Sequence, residues 1–112
     1  MKKVEAIIRS TRFAAVKEAL SELGVQGITV THVQGEVLGY AQTFTYRCQQ
    51  YRIDLAERLK VEVVVGSREA DDVIQAVIAA ARTGEIDDGQ IFVYDVAEAI
   101  RICNYQRDEA AV

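Results

Sequence analysis

Long apolar runs, clustered cysteines and a surplus of basic residues are all missing from this 112-residue chain, and each absence removes a class of function. The apolar runs are strand-sized, too short to span a bilayer, and the opening MKKVEAIIRS has neither the length nor the cleavage pattern of a signal peptide. A cytoplasmic protein with no direct membrane insertion is expected. The formal net charge is -4 and no basic stripe is present, which argues against a nucleic-acid partner, since phosphates must be neutralised by a basic face. The two cysteines, Cys48 and Cys103, are too far apart for a metal knuckle and read as reduced thiols. The single His32 has no companion at ligand spacing and falls in a strand pattern, so no metal site is expected. No nucleophile and base stand together either, and the chain does not read as an enzyme.

What is present suits one globular domain. Hydrophobic residues make up 50% and charged residues 27%, too apolar for a disordered chain, and the length allows one core but hardly two. Val4 to Arg9 is rich in β-branched residues and alternates, which predicts a first strand. Ser10-Thr11 can cap a following helix in which Phe13, Val16, Leu20 and Leu23 recur at helical spacing, with Gly24 as its stop. A second strand is expected from Gly27 to about Gln34. From Gly35 to Arg58 the periodicity fails, and a loop of that length inside a small domain is usually functional. Strand signal returns at Leu59 to Val65. Ser67 then caps a second helix with a core face of Val73, Val77, Ile78 and Ala81, and Glu69, Asp71 and Asp72 lie where the helix dipole favours negative charge.

The stretch Thr83 to Ile102 organises the remainder. Thr83-Gly84 ends the helix, Asp87-Asp88-Gly89 makes an acidic turn, and Ile91 to Tyr94 reads as a buried strand. Glycine at 89 permits a close approach of the backbone, and two readings of the turn stay open: a nest of amides for an anion, or an ordinary turn. Laying Val4 on Val61, a shift of 57 positions, matches Val4-Glu5 to Val61-Glu62, Ser10 to Ser67, Val16 to Val73 and Ala19 to Ala76. The chain thus looks like a duplicated β-α-β unit. Two such units give an α+β, ferredoxin-like fold, a four-stranded antiparallel sheet with both helices on one face. The other face, with Ile7, Val64, Phe92 and Tyr94, is then too apolar to stay wet, and association with copies of itself is the simplest cover.

These residues resemble a known family. The opening MKKVEAIIR, the segment GVQGITVTHVQG, Thr83-Gly84 with Ile86 and Asp88-Gly89, IFVYDVAEAIRI and the closing DEAAV together are similar to the P-II nitrogen-regulatory signal-transduction proteins, from end to end. The resemblance implies a single domain over 1–112 that forms a homotrimer and binds ATP or ADP in the clefts between subunits. It implies a T-loop at about 36–58 that contacts a target membrane transporter or metabolic enzyme, a B-loop at about 83–90 and a C-terminal segment at about 102–112. Carried over by position, Ile7, Gly27, Thr29, Glu62 and Val64 belong to the adenine and ribose half of the site. Gly35, Asp88 and Gly89 also match, and Arg101 keeps a guanidinium for phosphate. Tyr51 stands where many members are uridylylated, though partner contact is the favoured reading here.

The same comparison implies departures. Leu38, Gln90 and Cys103 replace basic residues, Asp87 replaces a glycine and adds negative charge beside the expected phosphates, Gly39 replaces a glutamine, and Arg58 replaces a lysine that pairs with 2-oxoglutarate. The expected ligand is therefore an adenine nucleotide, ADP, AMP or ATP, without strong preference for the triphosphate and without strong 2-oxoglutarate sensing. Magnesium stays open. The alternative is an interaction module on the same trimeric scaffold that has lost small-molecule control. Cys48 and Cys103 allow a redox switch, with two inert thiols as the favoured reading.

Overall fold

A computed structural model describes residues 1–35 and 56–112 in full, together with the backbone of residues 42–46 and 49–53. The first unit runs β1 (Lys2–Arg9), α1 (Phe13–Glu22) and β2 (Thr29–Gly35); the second runs β5 (Ala56–Val65), α2 (Ala70–Ala81) and β6 (Gly89–Asp95). All neighbouring strands are antiparallel, in the order β2-β5-β1-β6, and this is the expected ferredoxin-like α+β arrangement. Between the units, β3 (Gln42–Tyr46) pairs antiparallel with β4 (Gln49–Ile53).

Alternation builds the core. Val4, Ala6 and Ile8 of β1 and Leu59, Val61, Val63 and Val65 of β5 point to one sheet face, where Val16 and Leu20 of α1 and Ala70, Val73, Val77 and Ala81 of α2 cover them. Each fully buried Val or Leu contributes about 1.5–3 kcal/mol of transfer free energy. The duplication persists in three dimensions: shifted by 57 positions, Phe13 and Ala70 both open their helices, and buried Val16 and Leu20 fall on buried Val73 and Val77.

Several local expectations are corrected. Ser10–Arg12 forms a 3-10 turn and Arg12 is the N-cap of α1, with no capping side chain. Glu69 is the N-cap of α2, and the Ser67 hydroxyl instead accepts a hydrogen bond from the Met1 ammonium at 3.1 Å. Ile78 is 39% exposed, because the buried stripe is Ala70, Val73, Val77 and Ala81 and position 78 turns off it. The supposed structureless stretch 35–58 contains β3, β4 and the start of β5. Finally, β6 is not buried: as an edge strand it leaves Phe92, Val93 and Tyr94 between 41% and 46% exposed. The outer sheet face is also mixed rather than apolar, since Lys3, Glu5, Lys60 and Glu62 alternate with Ile7, Val64 and Tyr94. Lys3 Nζ lies 4.7 Å from the Tyr94 ring centroid, and the Tyr94 hydroxyl donates to Glu5 at 3.3 Å. The negative charge of Glu5 raises the phenol pKa.

Candidate functional site

An open cleft of about 740 Å³ lies along β2, the end of β5 and the C-terminal segment. Gly27, Thr29, Glu62, Val64 and Arg101 line it, so five of the eleven nucleotide-site residues expected from the sequence come together. Register explains the convergence, because Thr29 stands directly opposite Glu62 in the β2–β5 ladder and Val64 opposite Lys3 in the β5–β1 ladder. Glu62 has Lys60 3.8 Å away on the same strand face. Arg101 is delivered by a tight turn, in which its amide donates to the Gln106 carbonyl at 2.8 Å and its own carbonyl accepts from the Tyr105 amide at 2.9 Å. Its Nη2 donates to the Ala111 carbonyl at 3.4 Å, while its buried Nε has no hydrogen-bond partner among the described residues. A buried guanidinium donor left unmatched costs free energy until an acceptor arrives. Sequence reasoning missed Lys3 and Glu109 as lining residues, and read Glu69 and Asp72 only through the helix dipole. The Glu109 carboxylate is also 3.6 Å from the Met1 ammonium.

A second group gathers elsewhere. Ile7, Asp88, Gly89 and Gln90 border a hollow of about 250 Å³ between β1, β6 and α2. The Asp88 carboxylate organises the turn, accepting from the Thr83 amide at 2.7 Å, the Gly84 amide at 2.8 Å and the Thr83 hydroxyl, with Arg9 Nε at 3.3 Å. The Thr83 hydroxyl is the largest influence holding its carboxyl down, to about 2, with the two amides and Arg9 acting the same way. Gly89 has φ +123°, and a Cβ there would stand 1.8 Å from the Ile7 carbonyl oxygen. The close approach anticipated for glycine 89 is therefore to its own neighbouring strand. Asp87, expected to add negative charge beside the phosphates, is 6% exposed and ion-paired with Arg9 and Arg58.

The two groups line separate hollows that share no residue, the first reaching the β2 edge at Thr29 and the second the β6 edge at Gln90, although Glu62 and Val64 on β5 and Ile7 on β1 lie on neighbouring strands. Thr29 and Gln90 themselves are three strand spacings apart, roughly 14 Å. Gly35 pairs with Ala56 at the far end of β2 and lines neither hollow. Cys103 is exposed and off the cleft wall. Tyr51 belongs to the backbone of β4; its side chain, with Leu38, Gly39 and Cys48, lies outside the described residues. Among the described residues no helix is long and apolar enough to cross a membrane, and no group of His, Cys, Asp and Glu could hold a metal ion.

Comparison with known proteins gives this geometry its context. The sequence model of the family described as Nitrogen regulatory protein P-II matches residues 1–106. Nitrogen regulatory protein P-II of Pasteurella multocida is 42% identical over 112 residues, covering all of both chains. Nitrogen regulatory protein P-II 1 of Escherichia coli K12 and Nitrogen regulatory protein P-II of Klebsiella oxytoca show the same identity and coverage. With a full-length match and the ferredoxin-like sheet both in place, this chain belongs to the P-II family of nitrogen regulatory proteins.

Proposed function

We propose that the protein is a trimeric, non-enzymatic cytoplasmic regulator that binds an adenine nucleotide between subunits and controls a transporter or metabolic enzyme through residues 36–58. The observation that carries the reading is the buried, unmatched Nε of Arg101 in a cleft whose other wall holds Thr29 and Glu62. A hydroxyl and a strand edge suit adenine, a carboxylate suits ribose hydroxyls, and the guanidinium suits phosphate. The division of the candidate residues between separate hollows fits a site completed by a second copy, with Asp88, Gly89 and Gln90 of one chain facing the cleft of the next.

The cleft's own charges set the expected ligand. Glu62, Glu69, Asp72 and Glu109 outnumber Lys3 and Arg101, so every added phosphate meets more repulsion than attraction. Calorimetric titration under identical conditions should find AMP or ADP bound at least as well as ATP, with magnesium and 2-oxoglutarate adding little. Gln90→Lys should move the preference towards ATP. Absence of binding by all three nucleotides would overturn the reading and leave the second one, an interaction module without small-molecule control, which the acidic walls of the cleft favour.

A further inference from the structure

Arg9 and Arg58 stand directly opposite each other in the β1–β5 ladder, with side chains only 24% and 14% exposed. Like charges at opposed positions repel, and partial burial removes the water that would screen them, so the pair needs an anion. The chain supplies one. Asp87 gives one carboxylate oxygen to Arg9 and the other to Arg58 Nη2 at 3.4 Å, and its backbone carbonyl accepts from the same Arg58 nitrogen at 3.4 Å. Asp88 supports the arrangement from the next position, with Oδ1 3.3 Å from Arg9 Nε.

We infer that the Arg9–Arg58 pair is an oxyanion seat permanently filled by the chain's own Asp87 carboxylate, which latches the turn 83–88 onto the ends of β1 and β5. Two guanidinium groups around one carboxylate is the arrangement that would otherwise hold a phosphate or a carboxylic acid from solution. A tethered carboxylate competes at a high effective concentration, so a free oxyanion finds the seat taken. Arg58 lies two residues inside the start of β5, where the chain arrives from β4, so the latch ties that root to the turn before β6. The seat is distinct from the Thr29–Glu62 cleft and stands whether or not that cleft binds a nucleotide.

Arginine side-chain signals in NMR spectra, followed while inorganic phosphate is added, test the inference. In the unaltered protein the Nε signals of Arg9 and Arg58 should stay fixed through the millimolar range. In Asp87→Asn they should shift saturably, with a phosphate dissociation constant at least roughly tenfold tighter than any response of the unaltered protein, and adding Arg58→Gln should abolish the response. Asp87→Gly serves as a second variant, and the amides of β1 report whether each variant is folded. Equal phosphate binding with and without Asp87, or folded Asp87 variants that ignore phosphate, would overturn the idea. If neither variant folds, the unaltered protein decides: separate Nη signals, from guanidinium groups locked in place, support the latch, and averaged signals from freely rotating ones refute it.

Discussion

Gly89 illustrates what a single residue can reveal and conceal. Its need for a close approach was readable from the turn, and the neighbour inside the chain is the Ile7 carbonyl, which only the β1–β6 register places there. Any Cβ at this position meets both a forbidden φ and a backbone oxygen, so Gly89→Ala should cost at least about 3 kcal/mol, read from the shift of the urea unfolding midpoint. Asp88 makes a prediction of a different kind. Its carboxyl sits at about 2 in the folded chain against an ordinary 3.8, so the unfolded chain takes up a proton first as the pH falls. The stabilisation is whole above pH 4 and disappears as the pH drops towards 2. Asp88→Asn should therefore lower stability at neutral pH and flatten the acid limb of the stability profile below about pH 4, measured by denaturation at several pH values. Asp87 could not be read in this way. Its partners lie 78 and 29 positions away in sequence, and nothing local shows that its charge turns inward.

Elements were legible where one face is buried. The stripes of α1 and α2 and the alternation of β1 and β5 follow directly from burial on one side, and the 57-position repeat reinforces each half with the other. The stop of α1 was equally plain: Gly24, at φ +81°, donates to the Ser21 carbonyl while Val25 donates to Leu20, the paired bonds of a Schellman end. Helix starts were less so, because Ser10 falls inside a 3-10 turn rather than at a helix N-cap, and the Ser67 hydroxyl accepts from the Met1 ammonium. The β3–β4 hairpin was missed although its strands, QTFTY and QQYRI, do alternate, with Phe44 and Tyr46 in one and Tyr51 and Ile53 in the other at period two; each run is only five residues long, and the backbone register, with Phe44 opposite Tyr51, is what joins them. The corrected helix stripe is testable. Leu20→Ala, at a position 1% exposed, should cost about 2–5 kcal/mol, whereas Ile78→Ala should cost less than about 1 kcal/mol, by equilibrium denaturation.

At the scale of the whole molecule, the exposed surfaces of the chain suit the proposed trimer. Among the described residues both sheet edges, β2 and β6, are open, and unpaired edges invite pairing with other chains unless they are covered. Phe92, Val93 and Tyr94 are exposed on β6, and Ile100, Ile102 and Tyr105 follow at 48%, 93% and 83% exposure. The fold was readable from the sequence alone, and so was the mixed character of the outer face, since period-two alternation already sets Lys3 and Glu5 beside Ile7 and Lys60 and Glu62 beside Val64; weighing only the apolar residues of that face overstated its apolarity. Those charges make the face selective rather than merely sticky: Lys3, Glu5 and Tyr94 already satisfy one another, and copies in the proposed trimer would have to meet in a register that keeps them satisfied. A contact of one copy's β6 side with the next copy's β2 side is heterologous, and such contacts either close into a ring or grow into a filament. A closed ring of three is expected here. Sedimentation equilibrium should return the mass of three 12.4 kDa chains at micromolar concentration. Phe92→Arg, which places a cation in the middle of the exposed strand, should shift the protein towards monomer while leaving the helix-side core intact. If the nucleotide site is shared between copies, AMP binding should weaken in parallel with dissociation. A monomeric Phe92→Arg variant that keeps full AMP affinity would show that a single chain holds the whole site, and a monomeric unaltered protein would remove the trimer itself.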